Sequence, residues 1–225
     1  MRKILFLVMS HKTHDETFKA YKNVWDKIIQ TTANKYPIDV LFLYSDEEIQ
    51  EEYVIDRNHL ITKCKENYWD ALLKKVICGF KFFEKSDYDL VFKTNLSTIV
   101  NFDKFYNYCS SIDTEEFVYE GCVGHYLDYS FCSGAGMLLN KKTVRIVLDN
   151  VDKISEKWTD DIFIGYVLNK LNNITPKQNG LSRLDFAFDT NMNPSMKDFT
   201  HYRIKIRQQN KDIYFANEIF DLLYN

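Results

Sequence analysis

Short unbroken apolar runs alternate along this chain with longer stretches whose apolar residues recur at helical spacing. Ile4 to Met9 (ILFLVM), Asp39 to Tyr44 (DVLFLY) and Leu90 to Lys93 read as strands buried on both faces. A short strand is expected near Tyr53 to Ile55, and others over Phe117 to Val123 and Met137 to Leu139. The last of these follows an expected Gly-containing turn, Ser133-Gly134-Ala135-Gly136. Helical periodicity runs through Thr17 to Thr32 on Phe18, Tyr21, Val24, Trp25, Ile28 and Ile29, with Pro37 breaking the chain beyond it. A long helix is expected from about Tyr68 to Glu84, with Trp69, Leu72, Leu73, Val76, Ile77 and Phe80 on one side. Asn101 to Ser111, Lys141 to Asn150, Asp161 to Leu171 and Ile213 to Leu223 complete the helices, and Arg203 to Ile206 reads as a strand or extended segment. Acidic residues 46–52 read as a solvated loop or helix start. This order predicts an α/β, Rossmann-like fold, a mixed and mostly parallel sheet flanked by helices on both faces.

At 225 residues the chain can bury a sizeable core within one domain. Hydrophobic residues at 45% and charged residues at 27% are ordinary for a soluble globular protein, and no segment approaches the roughly 18 apolar residues of a membrane helix. The apolar opening lacks a small-residue cleavage site and suits a first strand better than a signal peptide. A net charge of −3 argues against nucleic acid as a partner. Five cysteines (Cys64, Cys78, Cys109, Cys122, Cys132) without a CxxC pair suit reduced, buried thiols and a cytoplasmic protein better than a Cys122–Cys132 disulfide. The pair His11-x-x-His14 has no acidic partner at zinc-site spacing.

The informative stretch is Asp87 to Asn101, DYDLVFKTNLSTIVN, in which the strand Leu90 to Lys93 meets the polar break Thr94-Asn95-Leu96-Ser97. It resembles the strand-to-loop passage of GT-A-type glycosyltransferases of the Fringe-like and β-1,3-galactosyltransferase group, whose acidic triplet faces a nucleotide-sugar's diphosphate. Here the triplet is degenerate and reads Asn95-Leu96-Ser97. Three more segments follow the order of that group. Glu66-Asn67-Tyr68 with Lys74 resembles its "D-x-Y-x-N-L-T-x-K" helix opening, although Glu66 or Asn67 would serve equally as a helix cap. Phe131 to Leu139 resembles its small-residue segment, where Ser133 and Gly134 would let backbone amides approach a ligand. Trp158-Thr159-Asp160-Asp161-Ile162-Phe163-Ile164-Gly165 is similar to its "E-D-V-(Y/F)-(V/I)-G" motif, the most specific match.

The resemblance implies a glycosyltransferase of hexosyltransferase type, with a nucleotide-binding half over 1–100 and an acceptor and catalytic half over 101–225. Asp161 would be the general base, with Asp160 its acidic neighbour; either aspartate would serve equally as a helix cap. The donor would be a nucleotide-sugar, UDP-linked, and the acceptor a glycan or glycoconjugate. Ser10, His11 and Asp46, at the ends of the first two strands, would meet the base and ribose. Lys74, Lys93, Asn95 and Ser97 would line the donor site. His201, Arg203 and Lys205, with Arg207, would compensate the diphosphate in place of Mn or Mg, which the missing acids disfavour. Tyr126, Tyr129 and Phe131 are candidates to stack on an acceptor sugar, and 172–200 reads as an acceptor-side loop. A non-catalytic nucleotide-sugar or glycan-binding module with the same fold is the alternative.

Overall fold

The computed structural model describes residues 1–12, 15–67, 70–154, 158–186 and 192–225. The chain divides into two compact units that interleave along the sequence. Unit 1 is Met1–Lys12, Ile38–Asn95 and Asp113–Asn179; unit 2 is Thr13–Pro37, Leu96–Ile112 and Gly180–Asn225.

Unit 1 is built on a seven-stranded sheet. Its strands are β1 (Ile4–Met9), β2 (Ile38–Ser45), β3 (Tyr53–Asp56), β4 (His59–Thr62), β5 (Leu90–Asn95), β7 (Tyr119–Tyr126) and β8 (Tyr129–Asn140), in the order β3-β4-β2-β1-β5-β8-β7; β6 (Thr98–Val100) belongs to unit 2. β1, β2, β4 and β5 run parallel, while β3, β7 and β8 pair antiparallel. Every residue of β1 is buried, as an unbroken apolar run in a central strand requires. On one face, Leu5, Leu7, Leu41, Leu43 and Val91 form a core with Leu73, Val76, Ile77 and Phe80 of α2 (Asp70–Lys85). Val144 and Val147 of α4 (Lys141–Leu148) and Phe163 and Ile164 of α5 (Asp160–Gly165) join the same core. On the other face, Ile4, Phe6, Val8, Phe42 and Phe92 are equally buried. Gly79 allows α2 to approach β1 closely, since a Cβ there would lie 2.7 Å from Leu7 Cδ1.

Unit 2 carries a three-stranded sheet of β6 (Thr98–Val100), β10 (His201–Ile204) and β9 (Arg183–Phe186), in that order. Its helices are α1 (Glu16–Thr32), α3 (Phe102–Ser110) and α6 (Gln209–Tyr224). Asp15 caps α1 by accepting from the amides of Thr17 and Phe18, and the buried Trp25 donates its indole N–H to Leu96 O at 3.0 Å.

The structure corrects several sequence expectations. Ser133 to Gly136 is not a turn: it lies inside β8, which pairs with β7 from Tyr119↔Leu139 to Tyr126↔Tyr129, and none of the described glycines has a positive φ. The small residues serve close pairing instead, because a Cβ on Gly121 of β7 would lie 2.4 Å from Gly136 O. The expected helix over Asp161 to Leu171 starts as α5 and continues from Tyr166 as a π-helix. The segment 172–200 holds β9 and a 3₁₀ turn, Pro194–Asp198, where a loop was expected. β4 and β6 had no counterpart in the pattern, being too short to show a period. Tyr68, Trp69 and His14 lie outside the described residues. All five cysteines are free thiols, Cys122 alone being only partly buried.

Candidate active site

The parallel strands place their carboxyl ends along one edge of the sheet, where open α/β sheets receive ligands. Met9 of β1 is level with Leu43 of β2 and with Asn95 of β5. The polar residues following β2, β1 and β5 are thereby gathered on that edge, where the end of β5 meets the Gly134 to Ala135 stretch of the antiparallel β8.

At the β5–β8 end stands a buried ion pair. Lys93 of β5 is 1% exposed, and its ammonium pairs with the carboxylate of Asp160, itself 5% exposed. The same Nζ donates to Gly134 O at 2.8 Å and to Asn95 Oδ1 at 3.4 Å. Asp161, partly exposed, accepts from Gly134 N at 3.1 Å through Oδ2, and from Thr159 Oγ1 at 2.5 Å and Ile162 N at 3.0 Å through Oδ1. Thr94 Oγ1 donates to Ala135 O at 2.8 Å. Gly134 has no room for a side chain: its Cβ would lie 2.8 Å from Lys93 Nζ, 3.4 Å from Asp161 and 3.5 Å from Asp160. Three segments distant in sequence are thus bound into one cluster. Ser133, half-buried beside it, accepts from Ala135 N at 3.5 Å. Chemically, the cluster offers a partly exposed carboxylate fixed in orientation, with one lone pair left after three hydrogen bonds.

A row of rings runs from Trp158 to Tyr126. Trp158 and Tyr166 pack at 4.7 Å between centroids, Tyr166 and Tyr129 at 5.8 Å, and Tyr129 and Tyr126 at 5.8 Å. Tyr129 donates its hydroxyl to Ile162 O at 3.4 Å, and burial, with neighbouring Tyr126, Tyr166 and Asp128, pushes its pKa up to about 12.

At the β1–β2 end, sequence reasoning missed the central residue. Lys75, not its exposed neighbour Lys74, is buried: its Nζ donates to Glu66 Oε1 at 2.7 Å, to Glu66 Oε2 at 3.0 Å and to Ser10 O at 2.9 Å. The signal was present, since Lys75 falls between Ala71 and Cys78 at i, i+4, i+7 spacing on a buried row of α2. Ser45 donates its hydroxyl to Glu66. Asp46 is engaged with Lys12 Nζ at 2.9 Å and Glu48 N at 3.1 Å, contacts that hold its carboxyl below the usual range. His11 is half-buried directly after Ser10.

The remaining candidates belong to unit 2. Ser97 accepts from Ile204 N at 2.9 Å through its carbonyl. His201 is fully buried, with Nδ1 3.0 Å from Thr200 Oγ1; burial and the charge of Arg183 push its pKa down to about 3, so it is a neutral core residue. β10 ends at Ile204, and Arg203, Lys205 and Arg207 follow one another out of it. Arg203, then burial and Arg207, hold the Lys205 pKa below its ordinary value, the mark of cations gathered on one surface. Such a surface suits anions.

The Lys93 ammonium already occupies the Asp160 carboxylate, and no group of three His, Cys, Asp or Glu side chains converges among the described residues. No helix is long and apolar enough to cross a membrane among those residues.

This mixed sheet with its covering helices is a glycosyltransferase fold. The chain is similar, at TM-score 0.57 and 11% identity, to a glycosyltransferase involved in the glycosylation of the major capsid of PBCV-1, over 96% of this chain and 99% of that one. It also matches the apo form of the glycosyltransferase GlyE of Streptococcus pneumoniae TIGR4 at TM-score 0.50 and 11% identity, over 100% of this chain and 62% of that one. No protein-family model and no curated protein sequence matches it.

Proposed function

We propose that this chain is an inverting, GT-A-type glycosyltransferase of the hexosyl-transferring kind that moves a sugar from a UDP-linked donor to a glycan hydroxyl without a divalent metal. The observation that carries the reading is the Lys93–Asp160–Gly134–Asp161 cluster at the carboxyl end of β5, beside the antiparallel β8. A sugar hydroxyl is a poor nucleophile, so a base must accept its proton as the oxygen attacks the anomeric carbon. In this reading Asp161 takes that proton through its remaining lone pair. The new glycosidic C–O bond forms as the anomeric carbon–phosphate oxygen bond breaks, and UDP leaves with the electron pair. Asp160, neutralised by Lys93, positions the motif rather than competing for the proton. Tyr126, Tyr129, Tyr166 and Trp158 supply apolar ring surface for an acceptor sugar beside the base.

One observation favours the second reading, a non-catalytic nucleotide-sugar-binding module. Asp161 already accepts three hydrogen bonds, so it would serve equally as a bracket between α5 and β8. The two readings part in a single experiment: calorimetric UDP binding with Mn²⁺ and with EDTA, followed by UDP-sugar hydrolysis. Transfer chemistry predicts UDP binding that survives EDTA, and an Asp161→Asn variant that binds UDP normally but hydrolyses donor about 10²–10⁴-fold more slowly. UDP binding with no hydrolysis by the unmodified chain selects the module. Binding only with Mn²⁺ places metal ligands outside the Asn95 to Ser97 slot.

A further inference from the structure

The cluster at the β1–β2 end contains more polar chemistry than the fold requires. Lys75 is 1% exposed and fully occupied by Glu66 and the Ser10 carbonyl. Burying an ammonium is unfavourable unless it is paired, yet its partner is not buried with it: the Glu66 side chain is 37% exposed. A pair serving the core alone would be drawn inward on both sides. Here the lysine is hidden and the carboxylate is presented.

Glu66 is also held in one pose. Two contacts from Lys75 and one from Ser45 use three of about four lone-pair positions on the carboxylate, leaving one to accept from outside. Ser10, whose carbonyl shares the Lys75 ammonium with Glu66, is 3% exposed, and its hydroxyl has no hydrogen-bond partner among the described residues. A buried polar atom left unsatisfied calls for a partner the protein itself does not supply. Asp46, the carboxylate expected here from sequence, is engaged by Lys12 and Glu48 instead.

We infer that Glu66, held by Lys75 and Ser45, is the residue that reads the nucleoside of the donor by accepting one hydrogen from it, with Ser10 as a second contact. The shared chemistry is a single donated hydrogen, from a ribose hydroxyl or from a pyrimidine imide N–H. Lys75 is a positioning residue, acting only through Glu66. The inference rests on the donor being a nucleoside diphosphate, as proposed above.

The test is selectivity rather than affinity, because damage to the fold weakens all ligands alike. Calorimetry with UDP, 2′-deoxy-UDP and CDP is run on the unmodified chain, on Glu66→Gln, and on the double variant Lys75→Met/Glu66→Gln, which leaves no unpaired buried charge. The unmodified chain should prefer UDP over one of the two analogues by about ten-fold, the value of one hydrogen bond. A preference over 2′-deoxy-UDP locates the hydrogen on the ribose, and one over CDP locates it on the base. Both variants should bring that preference close to unity. Preferences unchanged in both variants overturn the assignment and leave the glycosyltransferase reading standing. Failure of the unmodified chain to bind UDP overturns both.

Discussion

Among the described residues two lysines sit out of water, and each has drawn a carboxylate to itself: Lys93 to Asp160 and Lys75 to Glu66. Removing one partner of a buried pair strands the other charge, whereas removing both strands none. Lys93→Met should therefore cost about 3–5 kcal/mol in urea denaturation, and Lys93→Met/Asp160→Asn much less; equal losses would show that the pair is not coupled. His201 gives a second test at this scale. Its folded pKa, near 3, lies below that of the unfolded chain, so between about pH 6.5 and 3 only the unfolded state takes up the proton. Stability is thus lost as pH falls, by about 1.4 kcal/mol per unit and about 2 kcal/mol by pH 5. His201→Gln should flatten that part of the slope in urea midpoints measured at pH 7, 6 and 5. Lys93 and Asp161 were singled out in the sequence by the motifs around them, one at a strand end and the other at a helix start. Lys75 hid beside Lys74, because adjacent lysines on a helix differ in environment only once the buried face is known.

Among the elements, α5 and β8 set the geometry of the site through a contact that tolerates no side chain. A Cβ on Gly165 would lie 2.3 Å from Phe131 Cβ and 3.0 Å from its Cα, so the backbone itself must move to admit one. Gly165→Ala should destabilise the fold by about 1–3 kcal/mol, seen as a lower urea midpoint at unchanged slope. It should also reduce donor hydrolysis, since Asp160 and Asp161 ride on that helix. The π-helix that follows matters for the same reason. It carries Asn169, whose Oδ1 accepts from Ser130 N at 2.8 Å and ties this turn to β8. The helix itself was readable from the spacing of Ile162, Phe163, Val167 and Leu168, but its change of pitch was not, because apolar periodicity does not separate 3.6 from 4.4 residues per turn over so short a span.

For the molecule as a whole, the chain passes repeatedly between its two units, so neither is a contiguous fragment. A chain ending at Asn179 keeps every segment of unit 1 but lacks β9, β10 and α6 of unit 2. We expect its hydrogen exchange to remain slow in β1, β2 and β5 and to become fast in α1 and α3, whose partners are gone. Uniform loss of protection would mean that the units fold only together. By itself the sequence determined the alternating α/β order, the apolar central strands and the types of residue available for acid, base and phosphate chemistry, because burial imposes a period on each segment independently of the others. Tertiary structure alone decided which charges meet. Asp160 reaches Lys93 across 67 residues, and Glu66 rather than Asp46 holds the buried lysine's charge, because pairing depends on strand order and register, which no local pattern encodes.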